Sequence, residues 1–273
     1  GVEKTAGFFL MLFIVAGTFA VVYGILYVAN LIHPVLRFCL ETFFIYQIFA
    51  TKSLKTESMK VYKKLKEGDL IGARKEVSYL VGRDTENLDE SEVAKADVET
   101  IAENTADGVI APMLFIAIGG APLGFAYKAV NTLDSMVAYK NEELINIGFF
   151  SAKMDDICNF IPARFAAVML MIASLILRFD FKGAVKIFKR DRFAHLSPNS
   201  AQTEAVAAGA LQIQLGGTHN YFGKAVVKPT IGDDIRPVEY EDIKRTNQLL
   251  YVSAVLSMAV CCLITFLIYV QLF

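Results

Sequence analysis

The sequence predicts an all-α integral membrane protein, a helical bundle with a re-entrant hairpin and cytoplasmic helical loops. Hydrophobic residues make up 55% of the 273 residues, and the mean hydropathy is +0.44, above the range of ordinary soluble domains. The 20% of residues that are charged are gathered between long uncharged runs. No alternating apolar pattern is long enough to suggest a sheet.

Residues 7–32, "GFFLMLFIVAGTFAVVYGILYVANLI", carry no charge and at about 1.5 Å per residue can span a bilayer. Residues 36–50 are membrane-associated; Arg37 and Glu41 interrupt them four positions apart on one helical face, where they can pair. Residues 51–107 form cytoplasmic helices. Gly68 can end one helix and Asp69 can cap the next, in which Leu70, Val77 and Val81 recur at helical spacing. "DESE" at 89–92 is a variant capping box, with Asp89 as cap and Glu92 at the third helical position.

Residues 108–137 form a re-entrant or transmembrane hairpin. Residues 160–178 are a further span, 179–248 a cytoplasmic loop with helices, and 249–273 a final uncharged span, all within one polytopic domain. Ten Lys and Arg lie in 51–100 and eleven in 178–245, against two in 138–156. By the positive-inside tendency both large loops face the cytoplasm. Two topologies meet that count. Either 160–178 also turns back, or it and 109–137 both cross and the 138–156 loop lies outside.

The hairpin carries the chemistry. In "VETIAENTADGVIAPMLFIAIGGAPLGFAYKAVNTLDSM", residues 98–136, the apolar run 109–118 is too short to cross. It ends at "GGAPLG", which cannot continue as regular helix because Pro122 removes a donor. Irregular backbone at membrane depth is tolerated when it is buried in protein or lines a water-filled cavity. Folding the hairpin between Gly120 and Ala121 brings Asp107 to the depth of Asp134. Glu99, Glu103 and Asp107 then form one stripe, and Lys128, Asn131 and Asp134 roughly another. Clustered carboxylates repel unless a cation intervenes, so Glu103, Asp107 and Asp134 predict a Mg²⁺ site facing a phosphorylated ligand. For Glu99, farther from the apolar arms, a solvated helix face is the alternative.

Other polar clusters leave alternatives open. Arg83 and Asp84 of "VGRDT" could bind phosphate or simply pair with each other. Asp155, Asp156 and Arg164 lie near the start of an apolar helix, where acids also suit the helix dipole. His195, Ser197 and Asn199 precede a small-residue helix expected from Gln202 to Gly216 and Gly217, and could orient a ligand or shape the turn. "LGGTHNYFGKA" fails the Walker pattern, since five residues separate Gly217 from Gly223 and Ala225 follows Lys224. Cys39, Cys158, Cys261 and Cys262 show no metal-binding spacing. A net charge of -1 and the lack of aromatics interleaved with basic residues argue against nucleic acid.

The segments "ARKEVSYLVGRDTENL", "VETIAENTADGVIAPMLF", "GGAPLGFAYKAVNTLDSMVAYKNEE", "GFFSAKMDDICNFIPARFAA", "HLSPNSAQTEAVAAGALQIQLGG" and "YFGK", in that order, resemble the adenosylcobinamide-phosphate synthase family of cobalamin biosynthesis, the CobD/CbiB family. The resemblance covers nearly the whole chain. It departs where "HLSPNSA" replaces the family's "HPSPNAG", and where His33-Pro34-Val35 lacks its usual context, which implies that the family's first helix is absent.

The resemblance implies a multi-pass enzyme of the cytoplasmic membrane. It would join the propionate carboxylate of adenosylcobyric acid to (R)-1-amino-2-propanol or its O-phosphate, using ATP and Mg²⁺, with membrane lipid and other cobalamin-assembly enzymes as partners. Carried over residue by residue, it points to Arg83, Asp84, Thr85, Glu103, Asn104, Asp107, Asn131, Asp134, Asp155, Asp156, Arg164, His195, Ser197, Pro198, Asn199, Gly216 and Gly217. In the combined reading Glu103, Asp107 and Asp134 hold Mg²⁺, Arg83 and Lys128 neutralise phosphate charge, and Asp155 or Asp156 is the base. A transporter, or a regulatory membrane protein of the related AmpE type, is the alternative.

Overall fold

The computed structural model describes residues 2–137, 146–221 and 223–272, and is mostly helical. The first eight residues of the expected 138–156 loop lie outside the described residues. The chain divides into two compact units, one of residues 1–49, 111–162 and 258–273, the other of 50–110 and 163–257.

In the first unit α1 (Val2–Ile32) and α2 (Pro34–Ile48) pack with α6 (Ala111–Val137). Three candidate spans among the described residues are long and apolar enough to cross a membrane: Val2–Ile32, Glu90–Val137 and Tyr240–Ile268. Only 17% of the apolar window of α1 is buried within the protein, so its outward Phe, Leu and Val side chains suit lipid. His33 separates α1 from α2 and caps the latter, its Nδ1 accepting from Val35 N at 3.1 Å. Val22, Leu26 and Ala121 form a core against which Leu40, Phe44, Ile45 and Phe125 pack.

The expected break is present in α6. Backbone angles leave the helix at Gly119 (φ -138°, ψ 21°) and Gly120 (φ 64°, ψ -163°), the second open essentially to glycine alone. Pro122 falls in the first turn of the resumed helix, where its missing N–H is not needed. A second break lies at Asn159, where α7 (Phe149–Cys158) and α8 (Phe160–Ile176) meet with a bend of 46°.

The second unit contains α3 (Thr51–Lys66), α4 (Leu70–Ser78) and α5 (Glu90–Asn104). Local caps form as expected. Asp69 accepts from Gly72 N at 2.9 Å, Gly68 takes φ 74°, and Asp89 and Glu92 form a reciprocal capping box. α5 runs into a π-helical turn, Thr105–Ile110, which the sequence reading did not anticipate. The turn holds Asp107, and the Gly108 carbonyl accepts from Ala50 N at 3.2 Å. Such insertions are frequent at functional sites.

Next come α9 (Phe181–Asp191) and α10 (Ser200–Leu211). Every residue of α10 is buried, so it is a core helix with no solvent face. Two expectations are corrected here. α10 ends at Leu211 rather than at Gly216 and Gly217, because Gln212 turns left-handed at φ 59°. The following residues form an antiparallel hairpin, β1 (Leu215–Tyr221) with β2 (Lys224–Ile231), where no sheet was expected. Gly216 and Gly217, at φ 73° and 99°, take a bulge in place of an alternating apolar pattern, which hid the strand. α11 (Tyr240–Leu272) follows. Its buried Asp242 accepts from Arg236 and Arg245 at 2.7 Å each.

The crossing of α9 and α10 depends on Gly183 and Gly209. A β-carbon on Gly209 would collide with the Gly183 carbonyl oxygen. Gly209→Val is therefore expected to destabilise the second unit by about 1–3 kcal/mol through overpacking. Thermal unfolding in detergent measures this, and a wild-type midpoint would mean that the helices do not approach so closely.

Candidate functional site

The second unit gathers segments distant in sequence around one polar centre. Arg83 follows α4 in an irregular stretch, and its guanidinium is buried. Arg83 Nη2 donates to Glu99 Oε2 at 2.6 Å, and the other Glu99 oxygen accepts from Gly216 N at 2.7 Å. Both lone-pair sets of one carboxylate thus tie the Arg83 loop to strand β1. Arg83 Nη1 lies 2.8 and 2.9 Å from the ring nitrogens of His219. A guanidinium can only donate, so His219 accepts from it as a neutral imidazole. Asp84 turns away from Arg83; its Oδ2 accepts from Gly223 N and its own N donates to Asn220 O, each at 2.8 Å. The alternative of a local Arg83–Asp84 pair does not hold.

Glu99, for which a solvated face was the alternative, is the centre of this clamp, with a side chain 14% exposed. One turn on, Glu103 Oε1 accepts from Ser200 Oγ at 2.7 Å. Ser200 begins α10, and the turn before it is held internally. Ser197 N donates to His195 Nδ1 at 3.0 Å, and Asn199 N donates to Ser197 Oγ at 3.2 Å. Arg164 on α8 donates to Asn199 Oδ1 at 3.3 Å. With Nδ1 accepting, the neutral His195 ring carries its proton on Nε2 and presents a donor there.

Burial holds His195 below its ordinary pKa against the pull of Glu103. Glu204 on α10 is pushed well above the carboxylate range, by burial first and then by the charges of Glu103 and Glu99. Burial and like charge thus both favour its protonated form. Lys228 on β2 lies 5.4 Å from the Tyr221 ring, and its charge is felt by both His195 and Glu204. Lys95 Nζ approaches Gly217. Cationic and neutral donors thus surround the carboxylates of Glu99 and Glu103, and such donors suit an anionic, phosphate-bearing ligand.

His219 supplies a pH prediction. Burial, and then Arg83, lower its pKa from 6.5 to about 4. The unfolded chain takes up the proton first, so the contribution is present above pH 6.5 and is lost as pH falls toward 4. Stability measured from pH 7 to 4 is expected to decline, and His219→Gln to flatten that decline. An unchanged slope would place His219 outside the clamp.

Of the expected residues, Arg83, Asp84, Thr85, Glu103, Asn104, Asp107, Arg164, His195, Ser197, Asn199, Gly216 and Gly217 belong to the second unit. Thr85 is buried, and Asn104 Nδ2 donates back to Thr100 O at 3.0 Å. Lys128, Asn131, Asp134, Asp155 and Asp156 belong to the first. There Asp155 accepts from Asn131 at 3.4 Å and from Asn159 at 3.0 Å, and Asn159 Oδ1 accepts from Tyr127 at 2.8 Å. Asp156 lies 3.3 Å from Lys153. Among the described residues no group of three or more His, Cys, Asp or Glu is placed to hold a metal. The sequence reading passed over Lys95, Glu204, His219 and Lys228 as site residues. An acid inside an alanine-rich helix was the available signal for Glu204; the other three offered none.

Comparison with known proteins follows the same segments. A model of the family described as CobD/Cbib protein matches residues 1–250. The cobalamin biosynthesis protein CobD of Clostridium perfringens is 55% identical over 261 residues, 96% of this chain and 83% of that protein. The CobD protein of Streptococcus sanguinis is 53% identical over 247 residues, 90% of this chain and 78% of its own length. The cobalamin biosynthesis protein CbiB of Salmonella choleraesuis is 47% identical over 246 residues, 90% and 77% of the two chains. No solved structure matches the chain.

Proposed function

The chain belongs to the CobD/Cbib protein family and to cobalamin biosynthesis, and from that premise we propose that it is an ATP-dependent amide synthase. Its substrates would be the propionate carboxylate of adenosylcobyric acid and (R)-1-amino-2-propanol or its O-phosphate. The observation that carries the proposal is the polar centre of the second unit, where Arg83, His195 and Lys228 surround Glu99 and Glu103.

A carboxylate does not react with an amine until it is activated. ATP supplies that activation by phosphorylating the carboxylate, and the amine then displaces phosphate to leave the amide. Mg²⁺ usually takes one or two carboxylates and completes its shell with water and substrate phosphates. Glu103 and Asp107, both in the second unit, are the carboxylates proposed for that duty, with no three-ligand cage required. The Nε2–H of His195 and the Lys228 ammonium would bind phosphate oxygens, and Lys128 is proposed to neutralise further phosphate charge. Asp155 or Asp156 would take the proton from the attacking ammonium.

The test is a mass-spectrometric assay of the purified protein in detergent with adenosylcobyric acid, aminopropanol phosphate, ATP and Mg²⁺. ATP-dependent formation of adenosylcobinamide phosphate supports the synthase. No product, under conditions in which one of the related proteins is active, overturns it. The two helix breaks, at Gly119–Gly120 and at Asn159, favour transport as the second reading, because discontinuous helices mark transport sites. Substrate accumulation in proteoliposomes without ATP turnover would select it.

A further inference from the structure

In the second unit α9 has two unlike faces. Ala184, Ile187 and Asp191 are buried on the side that packs against α10. On the opposite side Lys182, Lys186, Lys189 and Arg190 recur at helical spacing, all exposed. Phe181, Val185 and Phe188, half-buried, make an apolar ridge along one edge of that basic face. Arg178 precedes the helix and is exposed. Arg192 ends it, its guanidinium carbon 5.4 and 4.8 Å from the Phe188 and Phe193 ring centroids. Residues 178–192 thus hold six Lys and Arg against Asp180 and Asp191, in a chain of net charge -1.

Nearby acids answer only part of this charge. Asp233 accepts from Lys186 at 3.0 Å and from Arg190 at 2.5 Å, and Asp191 accepts from Arg190 at 2.7 Å. Asp180 is engaged at the helix start, accepting from Gly183 N at 2.8 Å and from Gln212 at 3.0 Å. Among the described residues Arg178, Lys182 and Lys189 form no ion pair.

The place of α9 in the chain indicates what this surface meets. Only residues 177–180 separate it from α8. Along α8, Val168, Ile172, Leu175 and Ile176 are exposed at helical spacing, an outward apolar stripe that suits lipid. The bent pair of α7 and α8 is apolar enough to enter a membrane, as a broken span or as a re-entrant segment. In either case the C-terminal end of α8 comes out at a membrane surface, and α9 begins there. A basic helix beside a membrane segment attracts anionic headgroups, while an apolar ridge reaches the top of the acyl chains. An acidic soluble partner would answer the charge but leave the ridge and the α8 stripe uncovered.

We propose that the basic face of α9, with Arg178, binds the headgroups of anionic phospholipids in the adjoining leaflet, the helix lying in the plane of the interface. The proposal stands on the membrane segments and on the charges of α9. Its test reads lipid binding rather than turnover, so it stands or falls apart from the amide synthase reading.

The intact protein, delipidated in detergent, is titrated with phosphatidylglycerol or phosphatidylcholine and followed by native mass spectrometry and thermal unfolding. The expected result is selective binding of phosphatidylglycerol that weakens as salt rises. Arg178→Gln, Lys182→Gln and Lys189→Gln combined are expected to lower that affinity about a hundredfold. The matched loss of three exposed lysines of α3, in Lys52→Gln, Lys60→Gln and Lys63→Gln combined, is expected to leave it nearly unchanged. An unliganded midpoint like that of the wild type confirms that the α9 variant folds.

A second measurement keeps every charge in place. The chain contains no tryptophan, so Phe181→Trp supplies a single fluorophore on the ridge. In reconstituted vesicles its emission is expected to be quenched by phosphatidylglycerol brominated high on its acyl chains. Equal affinity for the two lipids, equal losses in the α9 and α3 variants, or a tryptophan that the brominated lipid leaves unquenched would overturn the proposal.

Discussion

Replacing Arg83 with methionine is expected to cost about 3–5 kcal/mol of stability and to remove measurable turnover. The Arg83–Glu99 pair lies at 2.6 Å, with side chains 5% and 14% exposed, so the substitution leaves a carboxylate in a dry site without its counter-charge. Glu99 also holds Gly216 N, so its displacement loosens strand β1 from the centre. The companion variant separates structure from chemistry. Replacing Arg83 and Glu99 together by methionines removes both charges, and is expected to recover much of the stability while staying inactive. Thermal unfolding and the product assay, run on the same preparations, measure both effects. A wild-type midpoint for the single variant would show that the clamp does not form.

Glu103→Gln is expected to lower turnover by about 10²–10³ while leaving the melting midpoint close to wild type. Glutamine keeps an acceptor for the Ser200 hydroxyl, so the join between α5 and α10 survives. What is lost is the negative charge that His195 and Glu204 both feel, and with it the carboxylate proposed to share Mg²⁺. Glu103→Ala removes both the bond and the charge, and is expected to be inactive and less stable. Turnover near wild type in the glutamine variant would reduce Glu103 to a structural role and remove it from the metal proposal.

The parts of the fold legible in the sequence share one property: their causes lie within a few residues. Uncharged runs mark α1 and the end of α11 because lipid admits little else for twenty residues or so. Asp69 and Asp89 mark helix starts because a side chain bonds its own next turn. The break at Gly119–Gly120 is legible because glycine alone tolerates the backbone that Gly120 takes. The Arg37–Glu41 contact follows from helical spacing.

The site was legible only in part. Arg83, Glu103, His195, Ser197 and Asn199 are visible as polar residues in patterned company, and they do converge within the second unit. Their partners were not visible, because each lies on a segment whose position depends on packing. Glu99 is separated from Gly216 by 117 positions, and Arg83 from His219 by 136. The hairpin that delivers His219 and Lys228 is hidden by a glycine bulge, and the π-turn under Asp107 has no compositional mark.

By itself, then, the sequence determined where the chain is apolar, where its helices start and break, and which polar residues are candidates, since local sterics and solvation decide those. Tertiary structure alone decided the charge state and company of the candidates. Burial pushes Glu204 above the carboxylate range, makes His219 a neutral acceptor, and sets Glu99 as the anchor of Arg83. Desolvation and long-range pairing depend on what the fold brings alongside, which no stretch of the chain carries alone.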